Sequence, residues 1–182
     1  MDHSCAPRIL VGLGSNLHGP WGAPAQAVKE ALHRFAQYGI EITKCSTIIS
    51  TAPYGKTDQP VFANAVAAIH THLPPLALLQ RLHMIEAAAG RRRAVRWGPR
   101  ALDLDLLCYY EITTPGKSPQ QWRSERRHPL VLPHPELHLR PFVLEPIREI
   151  APFWHHPVNG LTAADMSRAL PAAREGRVLG RA

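Results

Sequence analysis

The sequence predicts a single α+β domain, and three observations predict it. Apolar residues switch along the chain between two-residue alternation and helical spacing. The resulting elements read in the order β-α-β-β-α-β. The 182 residues, 45% apolar and 19% charged, have an ordinary globular composition. A chain of this length buries roughly 70% of its unfolded surface, so its core needs no disulfide or structural zinc.

Each element has its own reason. Arg8–Gly14 (RILVGLG) is a short strand that ends in a turn at Gly14-Ser15-Asn16. Between Pro24 and Tyr38, Ala27, Val28, Ala31, Leu32 and Phe35 recur at helical spacing, and Gly39 is the stop. Ile40–Thr51 is rich in Ile and Thr and reads as one strand, followed by a loop over Ala52–Pro60. Val61–Thr71 is the next strand, with Val61, Ala63, Ala65, Ala67 and Ile69 on one side. Pro74 and Pro75 open a helix through Leu78, Leu79, Leu82 and Ile85, which Gly90 closes. Leu102–Tyr109 is a strand, and 111–129 read as a long irregular loop insertion. Leu130–Leu132 are expected as a short strand, Phe142–Ile150 as a helix interrupted by Pro146, and Leu161–Leu170 as a last helix. The Arg/Gly-rich tail, 171–182, is expected to be mobile. The order is that of a ferredoxin-like unit, with one domain over 1–182 and its core at about 8–170.

Composition excludes several function classes. Three cysteines, far apart and without a CxxC pair, argue against a disulfide framework or zinc ribbon. No apolar run reaches membrane-spanning length and the first eight residues carry no secretory signal, so a soluble cytoplasmic protein is expected. Net charge is +7, from 21 basic and 14 acidic residues. Seventeen of the basic residues are Arg, a bias that a GC-rich genome alone could produce, so placement has to carry the argument. Five fall within Gly90–Arg100 (GRRRAVRWGPR).

The chemistry gathers beside that loop. In Leu102-Asp103-Leu104-Asp105-Leu106, strand alternation turns the leucines one way and both carboxylates the other, ~7 Å apart. Two carboxylates on one face repel unless a cation lies between them, and Mg²⁺ with substrate phosphates suits such a pair. A solvated polar strand face would also explain the pattern. Arg91, Arg92, Arg93, Arg96 and Arg100 alter the balance, because cations beside a carboxylate pair are the layout of phosphoryl transfer. Two other patterns fail. Gly55-Lys56-Thr57 lacks the earlier glycine of a P-loop, Ser50 standing there, and Gly12-Leu13-Gly14 has Leu17 in place of the third glycine of a dinucleotide fingerprint. Most histidines read as surface or hydrogen-bonded groups. His134, held between Pro133 and Pro135, is placed to donate to a phosphate.

These residues carry a family resemblance. Arg96-Trp97-Gly98-Pro99-Arg100-Ala101-Leu102-Asp103-Leu104-Asp105-Leu106-Leu107 resembles the signature of the 6-hydroxymethyl-7,8-dihydropterin pyrophosphokinases of folate biosynthesis. Val11–Leu17, Asp58-Gln59-Pro60 with Asn64-Ala65-Val66, Ile85-Glu86, Leu132–Pro135 and Glu149–Pro152 follow in the family's order, so the resemblance runs from about Ile9 to Gly160. It implies a three-layer α-β-α fold with a mainly antiparallel sheet. It also implies transfer of pyrophosphate from ATP to the pterin hydroxymethyl group, with release of AMP and two Mg²⁺ ions held by Asp103 and Asp105. By the same resemblance, Arg91 and Arg100 contact the reacting phosphates. Arg93, Arg96 and Trp97 lie on a mobile catalytic loop over ATP, and His134 and Arg140 bind ATP. Phe62 and Phe142 sandwich the pterin, while Thr51, Tyr54 and Asn64 read its edge.

The chain departs from the family at Ala52, where Pro is common, at Phe62, often Tyr, and at His83, often Gln. Its loop after Tyr109 is longer, which leaves Arg123, Arg126 and Arg127 unassigned. The expected partners are small molecules, ATP and the pterin, with no nucleic acid or membrane, and the chain is expected to be a monomer. Two other classes stay open on the residues. A metal-dependent nucleotidyltransferase would release pyrophosphate instead of AMP, and a basic RNA-binding module would bind RNA in a salt-sensitive way without turnover.

Overall fold

The structure, a computed structural model, describes residues 8–55, 58–91, 98–114, 130–171 and 175–182. Six strands form one sheet in the order β5-β1-β4-β3-β6, with β2 also paired to β4. They are β1 (Ile9–Ser15), β2 (Glu41–Cys45), β3 (Ile49–Thr51), β4 (Phe62–His70), β5 (Asp103–Tyr109) and β6 (Val178–Arg181). Every pairing between these strands is antiparallel.

Both faces of the sheet are covered, because β1 and β4 are apolar on both sides. One face meets α1 (Pro24–Arg34) and α2 (Pro75–Ala88). There Val11, Leu13, Ala65, Ala67, Leu104 and Leu106 pack on Val28, Phe35, Leu78, Leu82 and Ile85. The other face meets α3 (Pro141–Ile150) and α4 (Ala163–Arg168). Its core joins Leu10, Val66, Ala68, Leu107 and Cys108 to Leu144, Ile147, Trp154 and Met166. The arrangement is the three-layer α-β-α sandwich that the resemblance implies. Truncating a fully buried leucine such as Leu82 or Leu144 costs about 2–5 kcal/mol.

Local chemistry sets most boundaries. Pro24, Pro75 and Pro141 each stand at the start of a helix, where a missing N–H costs nothing. Gly39, at φ 76°, ends the first helical segment in the left-handed conformation that a side chain disfavours. Thr162 and Asp165 close a reciprocal capping box on α4.

Several expectations need correction. Ile40–Thr51 is two strands: at Ser46 the hydroxyl accepts the Val66 N–H at 3.0 Å and interrupts the ladder. Leu130–Leu132 contributes one isolated bridge, Thr114 to Leu132, and no strand. Pro146 does not interrupt α3, which runs through it to Ile150. The last helix is shorter than Leu161–Leu170. The tail is not simply mobile: Val178–Arg181 form β6 on the edge of β3 and satisfy its otherwise open backbone groups. Residues 115–129, most of the expected insertion, lie outside the described residues.

Candidate active site

The α3/α4 layer covers only part of its sheet face. Where it stops, at the start of α3, a cavity of about 480 Å³ opens over the bare sheet. Its floor is a glycine stripe. Gly12 and Gly14 of β1 lie opposite Asp105 and Asp103 of β5, and Gly14 also lies opposite Asn64 of β4. A Cβ on Gly14 would come within 2.7 Å of the Asn64 Oδ1, so a bare backbone is needed there. Gly12-Leu13-Gly14 is therefore no phosphate cradle, but it makes the room in which the acids and the amide meet.

One end of the cavity is charged. Alternation along β5 turns Leu104 and Leu106 into the α1/α2 core and Asp103 and Asp105 into the cavity. Asp103 pairs with Arg100 at 2.5 Å and with Arg91 at 3.0 Å. Asp105 pairs with Arg140 at 3.0 Å, and the second Arg140 nitrogen holds Glu136 at 2.9 Å. Burial and the neighbouring Asp105 push the Asp103 pKa up, against the pull of Arg100 and Arg91. Burial also opposes charge on Asp105, but His134, Arg140 and Arg100 outweigh it and hold that carboxyl below its ordinary value. Burial lowers the His134 pKa, with Arg140 adding to the effect against Asp105 and Glu136.

The other end is aromatic and neutral. Phe62, Tyr54 and Phe142 line it, and the Tyr54 ring meets Phe142 edge-on at 5.8 Å. The Asn64 amide donates to the buried Thr51 hydroxyl at 2.7 Å. Arg140 joins the two ends, its guanidinium 5.9 Å from the Tyr54 ring centre and 5.7 Å from that of Phe142.

Thr51, Tyr54, Phe62, Asn64, Arg100, Asp103, Asp105, His134, Arg140 and Phe142 thus line one cavity, although they are spread over more than ninety positions. Arg91 stands behind the lining, bound to Asp103 and to Glu86. Arg93, Arg96 and Trp97 lie outside the described residues, as do Arg123, Arg126 and Arg127. His83 sits on the exposed side of α2.

Sequence reasoning missed three supports. Asn16 accepts the Arg100 N–H at 2.7 Å and donates to Gln59 and the Pro60 carbonyl, tying the charged end to the ring end. Glu86, buried on α2, accepts the Leu104 N–H at 2.7 Å and the Arg91 guanidinium. Burial, opposed by those two donors, pushes its pKa up to about 7. Glu136 positions Arg140 from four residues away. A Glu in register with the buried face of α2, beside Leu78, Leu82 and Ile85, is the signal that would have found Glu86.

Two carboxylates suit a hard cation that completes its shell with substrate phosphates and water. Among the described residues, no group of three or more His, Cys, Asp or Glu gathers that would hold a metal by itself. Nor is any helix among them long and apolar enough to cross a membrane.

Paired acids under arginines, opening onto an aromatic slot on an antiparallel α+β sheet, define an enzyme of the phosphotransfer class. The profile of the 7,8-dihydro-6-hydroxymethylpterin-pyrophosphokinase (HPPK) family matches residues 10–152, and the chain belongs to that family. It is 43% identical over 145 residues to a 2-amino-4-hydroxy-6-hydroxymethyldihydropteridine pyrophosphokinase of Methylorubrum extorquens, covering 80% of this chain and 83% of the relative. Its identity to the protein of the same name from Pseudomonas aeruginosa is 40% over 145 residues, covering 80% and 81%. Among solved structures, wild-type Plasmodium falciparum HPPK-DHPS shares the fold with a TM-score of 0.64 at 14% identity. That match covers 92% of this chain but only 45% of the longer Plasmodium chain.

Proposed function

We propose that this chain transfers the terminal pyrophosphate of ATP to the hydroxymethyl oxygen of 6-hydroxymethyl-7,8-dihydropterin and releases AMP. The single observation that carries the reading is the two-ended cavity. Its charged end suits a triphosphate, and its aromatic end suits a flat ring with a polar edge. In this reading the pterin lies between Phe62 and Phe142, with Thr51, Tyr54 and Asn64 at its edge. ATP lies over β5, held by Arg100, Arg140 and His134, with Arg91 behind Asp103 and with Arg93, Arg96 and Trp97 as further ATP contacts.

The carboxylate pair fits Mg²⁺, because both donors are hard oxygens on one face and their present partners are cations. Asp103 and Asp105 would hold two such ions, which supply charge neutralisation to the triphosphate. The hydroxymethyl oxygen forms a bond to the β-phosphorus, the bond from that phosphorus to the α-phosphate bridging oxygen breaks, AMP leaves with the electron pair, and the hydroxyl proton passes to solvent water. Arg100, whose backbone N–H is held by Asn16, meets the charge that grows as that bond breaks. Asp105, kept ionised by its neighbours, fixes Arg140 between the two substrates.

The reading places the chain in the cytoplasm as a monomer acting on small molecules, without nucleic acid or membrane; the cavity is built from one chain. Product analysis tests it. With ATP, Mg²⁺ and the hydroxymethyl pterin, AMP and the pterin pyrophosphate are expected in equal amounts, whereas release of pyrophosphate would make the chain a nucleotidyltransferase.

A further inference from the structure

The C-terminal segment Glu175–Arg181 lies beyond the residues that the family profile matches, yet it is in contact with the ring end of the cavity. Three sets of contacts bring it there. The β6 strand pairs with β3, setting Thr51 opposite Val178. The Ala52 N–H donates to the Arg177 carbonyl at 3.0 Å, and the Gly176 N–H donates to the Pro53 carbonyl at 3.1 Å. The Gly55 N–H donates to a Glu175 carboxylate oxygen at 2.8 Å. Ala52, Pro53 and Gly55 flank Tyr54, so the tail clasps the backbone on both sides of a cavity-lining ring.

The closest approach is at Gly176. This residue is buried and has φ +73°, which already favours glycine. A Cβ there would stand 2.8 Å from Phe142 Cδ1 and 3.3 Å from Tyr54 Cδ2. The bare glycine therefore forms the back wall against which both rings rest. Among the described residues, no hydrogen bond or ion pair of Asp103, Asp105 or Arg100 involves this segment, so its direct contacts are at the ring end.

From these contacts we infer that Glu175–Arg181 is a positioning element for the flat-ring substrate. It sets the spacing of Tyr54 and Phe142, and with it affinity for that substrate, without touching it. The inference rests on the functional reading above. It assigns to a tail outside the family match a part in substrate selection, and Gly176 is its central residue.

The full chain is compared with a version ending at Leu170 and with the single variants Gly176→Ala and Glu175→Ala. KM for the hydroxymethyl pterin, KM for ATP and kcat are measured, together with direct binding of the pterin followed by fluorescence. A displaced ring slot should raise the pterin KM and dissociation constant of the truncated chain about tenfold or more, since small misplacements at a site have effects of that size. The ATP KM should stay within about twofold, and Gly176→Ala should show a smaller shift of the same kind. If the truncated chain does not fold, the two single variants carry the test, with thermal unfolding confirming that they are folded. Equal loss for both substrates would show a merely structural tail, and unchanged pterin binding would show no role; either overturns the inference. An intact chain that binds the pterin but makes no AMP would instead overturn the functional reading.

Discussion

The two ends of the cavity are built in opposite ways. The charged end comes largely from one stretch of chain, in which Arg100, Asp103 and Asp105 follow one another on a loop and a strand. Its groups hold one another through ion pairs. The ring end is assembled from the β3 loop, β4, the first turn of α3 and the C-terminal tail, and is held mainly by packing and backbone hydrogen bonds. Charge placement tolerates few exchanges, because a missing cation or anion leaves its partner buried and unpaired. A slot made of ring faces tolerates more, because neighbouring side chains share the surface. Mutations at the two ends should therefore fail differently, the first in kcat and the second in substrate affinity.

The sharpest separation is expected at the aspartates. Asp103→Ala and Asp105→Ala should each lower kcat on the order of ten-thousandfold, since charge stabilisation worth several kcal/mol is removed. Circular dichroism should show the fold retained, because Leu104 and Leu106 still pack the core. Activity close to that of the parent in either variant would remove the carboxylates from the chemistry. Next comes Arg100→Ala, expected to lower kcat about a thousandfold with pterin affinity nearly unchanged. Arg100→Lys should recover only part of it, as a point charge does not replace the planar fork. A weakened pterin affinity with kcat intact would move Arg100 to the other end of the cavity.

At the ring end, Phe142→Ala should raise the pterin KM about tenfold while the ATP KM changes little. Loss of ATP affinity instead would mean that the ends are not separable. The smallest effect on the two substrates is expected at a control away from both ends, where the readout is stability. His156 is packed against Trp154, and burial, helped by the nearby His138, lowers its pKa to about 4. A depressed histidine contributes stability that is full above its unfolded pKa, near 6.5, and is lost as pH falls towards 4. The loss should be on the order of 3 kcal/mol by urea unfolding at pH 7 and pH 4. His156→Phe should flatten that slope and leave both substrate affinities at neutral pH unaltered.

The same contrast explains what could be read from the sequence. The charged end was legible because alternation alone turns Asp103 and Asp105 away from the leucines, and the arginines are adjacent in the chain. The ring end was legible only through resemblance, since no local pattern links Thr51, Phe62 and Phe142. The β6 strand was not legible, because all four of its residues are exposed and its pairing is made by backbone groups, which leave no apolar period. Ser46 was hidden for a related reason: one hydroxyl bonded to one N–H breaks a strand whose composition is otherwise uniform. Asn16 reads as a turn residue, and only its three long-range side-chain hydrogen bonds show that it joins the two ends.

Next to the aspartates, β5 carries an irregularity. Leu10 lies opposite Cys108 and Val11 opposite Leu106, so Leu107 is left without an opposite number. Leu107 behaves as an inserted letter in an otherwise regular text. Because of it, Leu107 and Cys108 both face the α3 layer, while Tyr109 returns to the other side, where its hydroxyl donates to Leu73. Removing Leu107 would restore plain alternation and leave every remaining side chain of β5 on the face it now occupies. The frame of the two carboxylates is thus insulated from whatever the strand does beyond Leu106. Leu107 itself lies beside Gly12 and lines the cavity wall, so the extra residue plugs the gap that the glycine floor leaves above the second core.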